Sequence, residues 1–313
     1  MKVTVSAPGK IYLLGEHAAV YQKPALLTAI NKRVTVTVSG TKKNLHIDSP
    51  DNIFIKKIIG QVLNLYHLKI NPPIYIKVTS QIKSGYHLGS SAAVAVATAA
   101  ALAYFLKKVW HPELINELAY KVEKLKHGHP SGADNSVSVF GGFIWYRKEL
   151  DFLKNIWQLP LELSSRFDNF YLIDTGPAPF STGQMVAYVR NSYLQNKRKM
   201  EGYFSENETL TRKIARSLKA DDVASFTKLL KKGHTTLEKI GVVSRKVVPV
   251  IKEVENMGGA AKILGGGSNR GASGYLLAFL PDYESVSLLR KKLSYPFEKI
   301  KLGQPGVRLE SDD

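Results

Sequence analysis

The chain has 313 residues, 44% of them hydrophobic, and no cysteine. That is long enough for two domains with buried cores, and it excludes disulfides, thiolate metal sites and thiol nucleophiles. Lys and Arg number 44 against 26 Asp and Glu, a formal charge of +18, which favours anionic partners such as a phosphorylated small molecule, nucleic acid or an acidic membrane. The lysines are scattered with no interleaved aromatics, so a single-strand-binding face is not expected. MKVTVSAPGK lacks the apolar core of a signal peptide, and the apolar run Ala92–Leu106 falls short of the ~20 residues of a membrane span. A soluble, cytoplasmic protein with no membrane partner is expected.

In chain order, Lys2–Ser6 and Arg33–Ser39 alternate apolar and polar residues as half-buried strands do, and Ile74–Thr79 reads the same way. Ser90–Val109 is apolar all round with many alanines, which predicts a buried helix with Ser90 or Ser91 as N-cap. Pro112–Lys126 carries an apolar stripe at helical spacing. His127–Asn135 reads as a turn and Ser136–Arg147 as a strand. Phe170–Asp174 is a strand, and helices are expected near Gly183–Lys199, Asn207–Leu218, Asp221–Ile240 and Arg245–Met257. Ala260–Leu264 and Gly274–Leu280 read as strands flanking a glycine-rich loop. A helix near Tyr283–Leu293 and a strand near Glu298–Leu302 follow, with an acidic tail, Glu310–Asp313, expected to fray. Periodicity weakens over residues 150–165, which places a boundary between domains 1–155 and 156–313.

Three clusters could carry chemistry. GYHLGSSAA (Gly85–Ala93) sets small residues before a helix, where free N–H groups and the positive end of the dipole can hold a phosphate. A plain capped turn would read the same, and the lysine of the G-x-x-x-x-G-K-[ST] loop is absent. In SAPGKIYLLGEHAAVYQKPAL (Ser6–Leu26), Lys10 and Glu16-His17 stand among apolar residues. Buried charge is costly unless paired or used, so Lys10 and Glu16 either pair with each other or place a cation against a phosphate or a reacting hydroxyl. In Glu123–Asn135, Asp134 lies in a turn-forming stretch where Asp is also an ordinary cap, and Glu123 lies on the flank of its helix's apolar stripe.

Taken together and in this order, SAPGK…GEHAAVY, LGSSAA and E…HGHPSGADN resemble the GHMP kinase superfamily, and within it the mevalonate kinases most closely. The likeness runs strongly from Ser6 to Gly142 and more weakly to about Leu280. It implies an α+β, two-domain GHMP kinase architecture: an N-terminal ribosomal-S5-domain-2-like α/β domain and a C-terminal ferredoxin-like α+β domain. It implies ATP-dependent phosphorylation of the 5-hydroxyl of (R)-mevalonate in isoprenoid biosynthesis. Another small-alcohol kinase of the superfamily, such as a phosphomevalonate kinase, or a non-catalytic nucleotide- or nucleic-acid-binding homologue are the alternatives. By the resemblance, Asp134 is the catalytic base and Lys10 the catalytic cation. Gly85, His87, Gly89, Ser90, Ser91 and Ala92 surround the ATP phosphates, and Ser91 (or Ser90) and Glu123 hold Mg²⁺. Glu16, His17 and Thr182, with Lys10 and Asp134, meet the acceptor. Relatives also commonly form homodimers. Three departures stand out: Lys83 and His87 replace the usual proline and glycine before LGSS, the glycine loop Leu264–Gly274 is longer and contains Arg270, and Phe180 stands where a basic residue often precedes the Ser-Thr pair.

Overall fold

The computed structural model describes residues 1–42, 44–68, 73–128, 130–150 and 152–313, with only the backbone of His127. His129 of the HGHPSGADN motif and Asp151 in the boundary stretch lie outside the described residues.

The first strand, β1 (Lys2–Leu14), continues well past the alternating start. Its pairing with β2 (Ala25–Gly40) shifts register between Pro8 and Lys10. Proline has no N–H to give a ladder, so Pro-Gly forms a β-bulge. The Lys10 N–H leaves the ladder and donates to the Leu88 carbonyl at 3.0 Å, which ties the strand to the loop before the long buried helix.

Beyond β2 come β3 (His46–Asp48), α1 (Asn52–Leu65), β4 (Ile74–Ser80), α2 (Ser90–Lys107), α3 (Pro112–His127), α4 (Ala133–Phe140), β5 (Phe143–Lys148) and β6 (Lys154–Leu159). The second half holds β7 (Phe170–Asp174), α5 (Thr182–Gln195), α6 (Lys197–Lys219), α7 (Val223–Ile240), α8 (Val248–Asn256), β8 (Ala260–Ile263), β9 (Tyr275–Phe279), α9 (Tyr283–Lys292), β10 (Phe297–Ile300) and β11 (Arg308–Asp312). Among the described residues the strands form two sheets. The seven-stranded one has the order β11-β1-β2-β4-β3, with β5 and then β6 attached to the other half of β2. The four-stranded one, β10-β7-β9-β8, is antiparallel throughout.

Helix α2 packs on β1 and β2 and against α1, α3 and α4. It is long and apolar enough to cross a membrane by composition, yet most of it is buried inside the fold. Its alanines let these neighbours approach closely, and that fixes where its N-terminus points.

Several expectations are corrected. Helix α1 has no counterpart in the sequence reading, although Asp51 caps it by accepting from the Phe54 N–H at 3.0 Å and its apolar residues share one face. Residues 133–140 are helical rather than turn and strand. The Ser-Val-Ser-Val alternation is overridden because the serine hydroxyls find carbonyls, Ser136 on Gly132 at 2.7 Å and Ser138 on Pro8 at 2.9 Å, so both faces of this helix can be buried. The N-cap of α2 is Gly89, in the left-handed region at φ 75°, and not a serine. The helices expected at 183–199 and 207–218 instead break at Asn196, whose side chain caps α6. The acidic tail does not fray: it forms β11 and pairs with β1.

Candidate active site

Lys10 leaves the bulge of β1 with its side chain 3% exposed, and its Nζ lies 3.1 Å from Asp134 Oδ2. Asp134 stands in the first turn of α4, after Gly132 in the left-handed region, where the helix's positive end favours a carboxylate. Tyr12, two residues beyond Lys10, donates its hydroxyl to Asp134 Oδ1 at 3.2 Å, and Lys10 Nζ sits 4.7 Å from its ring centre. Burial, with Asp134 adding to it, raises the Tyr12 phenol well above its usual range, so it remains a donor. Lys10 Nζ also donates to the His87 carbonyl at 3.2 Å. Lys10 therefore pairs with Asp134, and the pairing of Lys10 with Glu16 left open by the sequence is not what forms.

The loop before α2 closes tightly on this lysine. Gly89 has no room for a side chain: a Cβ there would meet Lys10 Cγ and Cε at 3.0 Å. Gly85, also at positive φ, is exposed with open space around it. Ala92 is buried on the inner side of the first turn of α2, while Ser90 and Ser91 are partly exposed. Because Gly89 takes the cap position, the Ser91 hydroxyl is released for another use and donates to Glu123 Oε1 at 2.5 Å. Burial pushes the Glu123 carboxyl up to about 7; the Ser91 hydrogen bond opposes this, and the Asp134 charge adds to it. Two hard oxygen donors meet at the end of α2, a chemistry suited to Mg²⁺. Among the described residues, no group of three or more His, Asp or Glu could hold a metal by itself.

The second sheet supplies the facing wall. His17, at φ 59°, donates from Nε2 to the Gly266 carbonyl at 3.1 Å, and burial lowers its pKa to about 4. His87 shares a hydrogen bond of 3.3 Å between Nδ1 and the Thr182 hydroxyl, and its Nε2 is buried without a partner. Burial, then the Lys10 charge, lowers the His87 imidazole to about 4. Thr182 opens α5, capped by Ser181 in a reciprocal pair with Gln184. Glu16 is buried and ion-paired with Lys262 of β8. Thus Lys10 touches Asp134, His87 and Gly89, Ser91 and Glu123 form an adjoining pair, and His17 and Thr182 meet the Leu264–Gly274 loop.

Sequence reasoning missed Tyr12 and Lys262. Both left a signal: Tyr12 is two residues from Lys10 on the same strand, and Lys262 is a charge inside an apolar strand. Of the departures, Lys83 pairs with Asp174 at 2.6 Å, and the Arg270 guanidinium lies 4.9 Å from the Phe180 ring centre. A cation therefore stands over the position where the expected basic residue is missing.

Residues 54–142 match the profile of the GHMP kinases N terminal domain. A mevalonate kinase of Pyrococcus horikoshii is 32% identical, covering 98% of each chain. Among solved structures, the Methanococcus jannaschii mevalonate kinase superposes with a TM-score of 0.82 at 21% identity, covering 97% of this chain and 99% of that one. The L. major mevalonate kinase, solved in complex with R-mevalonate, gives 0.80 at 20% identity over 96% of this chain and 95% of that one. These two structures share the fold, and the near-complete match at 32% identity carries the conclusion that the chain belongs to the mevalonate kinase family of the GHMP kinases.

Proposed function

We propose that the protein transfers the γ-phosphoryl group of ATP to the C5 hydroxyl of (R)-mevalonate. The observation that supports this best is the Lys10–Asp134 pair at 3.1 Å, set between the N-termini of α2 and α4. Phosphoryl transfer asks the protein chiefly for positioning and charge neutralisation. Asp134, more open than Lys10, takes the proton of the attacking hydroxyl as its oxygen bonds to phosphorus. Lys10 stabilises the developing alkoxide. Tyr12 fixes the other carboxylate oxygen, so that Asp134 is held from two sides.

The loop Gly85–Gly89 and the first turn of α2, with Ser90, Ser91 and the Ala92 N–H, receive the phosphates. Ser91 and Glu123 would hold Mg²⁺, which when bound neutralises phosphate charge. Glu16, His17 and Thr182 line the acceptor side, where a buried carboxylate and a neutral imidazole suit hydroxyls. We assign the phosphate and catalytic groups to a domain at 1–155, to whose sheet β11 returns, and the closing wall to the remainder of 156–313, acting in the cytoplasm.

The test is a panel of alcohols with Mg²⁺-ATP in a coupled ADP-release assay. Mevalonate should give the highest kcat/KM, above phosphomevalonate and simple sugars. A higher value for another alcohol would reject the acceptor while leaving the reaction class intact.

A further inference from the structure

Lys262 is the most unusual charge outside the residues given a role above. It lies in the middle of β8 with its side chain 0% exposed, and its partner Glu16 is 1% exposed. Its ammonium donates to Glu16 Oε1, to the Tyr12 carbonyl at 3.2 Å and to the Ile263 carbonyl at 2.7 Å. All three protons are thus committed, two of them to the chain around β1 in the other sheet. Burial lowers the lysine's affinity for a proton and raises that of Glu16, with each partner opposing the other's shift.

An ion pair this deep is a poor way to gain stability, since the desolvation of both charges offsets their attraction and an apolar pair of equal volume often does better. A second observation points to use rather than packing. Glu16 Oε2 is buried with no hydrogen-bond partner, and a buried acceptor left unpaired is costly. The carboxylate is therefore gripped by one oxygen and idle at the other. The next residue in the chain, His17, reaches the Gly266 carbonyl, and the Lys10 charge acts on both members of the pair.

We propose that Lys262 is a positioning residue for the acceptor: it anchors Glu16 through Oε1 so that Oε2 accepts a hydrogen bond from a hydroxyl of the acceptor other than the one phosphorylated. The inference rests on the reading of Glu16 as acceptor-binding. It selects polyhydroxy or hydroxy-acid alcohols over simple primary alcohols. Because Lys262 and Glu16 come from different sheets, the acceptor subsite exists only while the sheets are docked. Lys262 itself does not touch the acceptor, having no proton left to offer.

The test compares Glu16→Gln, Lys262→Met and the double variant, varying acceptor at saturating ATP and ATP at saturating acceptor. Each single change should raise the acceptor KM about tenfold or more with the ATP KM within about twofold, and the double should be no worse than the more impaired single. A folded Lys262→Met with an unchanged acceptor KM overturns the inference, as does a double whose loss is the product of the two. If Lys262→Met does not fold, Lys262→Gln carries the test, because its uncharged amide on a shorter stem keeps the position polar but cannot hold Oε1 where the ammonium does: a raised acceptor KM supports the inference and an unchanged one overturns it. An unchanged acceptor KM in Glu16→Gln overturns the reading of Glu16 itself, whatever Lys262 does.

Discussion

Gly89 and Lys10 are packed so closely that a single methyl group on the glycine would stand 3.0 Å from the lysine's Cγ and Cε. Gly89 also holds φ at 75°, a region that costs other residues on the order of 1–2 kcal/mol. Gly89→Ala is therefore expected to displace Lys10 from Asp134 and unsettle the start of α2 together. The outcome is a fall in kcat of about tenfold or more for 1.4 kcal/mol of lost transition-state stabilisation, with a smaller change in the thermal midpoint than a core cavity would cause. Steady-state kinetics beside a melting curve would check both.

Asp134→Asn keeps the shape of the side chain but removes the proposed base, and should lower kcat by about 10²–10⁴-fold. Lys10→Met, which leaves Asp134 without its cation, should lower it by about 10²–10³-fold. Tyr12→Phe, losing one orienting bond at 3.2 Å, should cost far less. Because Lys10 and Asp134 act as a unit, the double variant should fall well short of the product of the single losses. Near wild-type turnover in Asp134→Asn would reject it as the base.

At the end of α2, Ser91→Ala removes one of the two oxygens proposed above for Mg²⁺. Titration of activity with MgCl₂ at fixed ATP should show the half-saturating concentration raised by about tenfold, equivalent to roughly 1.4 kcal/mol. Glu123→Gln should do the same or more. A variant with unaltered Mg²⁺ dependence but reduced ATP affinity would place these residues on the phosphates instead.

Stability should decline in mild acid. Burial lowers His17 and His87 to about 4 and His234 to about 3, against about 6.5 in an unfolded chain. The folded state binds fewer protons than the unfolded one, so this stabilisation is present above pH 6.5 and is lost as pH falls toward 4. Glu123, raised to about 7, has the opposite sign: its contribution is present below about 4.5 and lost as pH rises through 7. The three histidines predict a thermal midpoint that falls between pH 6.5 and 4, opposed by Glu123 and by Glu16 and Glu238, which are raised as well. His234→Leu should flatten that fall, since neither ring nitrogen of His234 is hydrogen-bonded.

Much of this site could be read before any fold was known. SAPGK, GEH, LGSSAA and the Asp134 stretch mark segments that the fold brings near one another, because close backbone approach needs glycine and buried charge needs a purpose. Partners were harder to see. The sequence allowed Lys10 to pair with Glu16, six residues away, whereas Lys10 pairs with Asp134 and Glu16 with Lys262. Which cation reaches which carboxylate depends on how two sheets dock, and no local pattern encodes that. The Ser-Val-Ser-Val alternation misled for a related reason: its serines are satisfied by Gly132 and by Pro8, a residue 130 positions distant. Helix α1, by contrast, had a legible cap and stripe.

The pairing of β11 with β1 makes the four-stranded sheet an insertion within the seven-stranded one. Lys2 and Asp313 exchange backbone hydrogen bonds at 2.6 and 2.9 Å, so the inserted unit is tethered at both of its ends, not hung from a single linker. Such a double tether restrains the unit more than a single linker would. It also gives β11 a task remote from chemistry: without Arg308–Asp312, the edge of β1 would lie bare along the strand that carries Lys10, open to pairing with another chain.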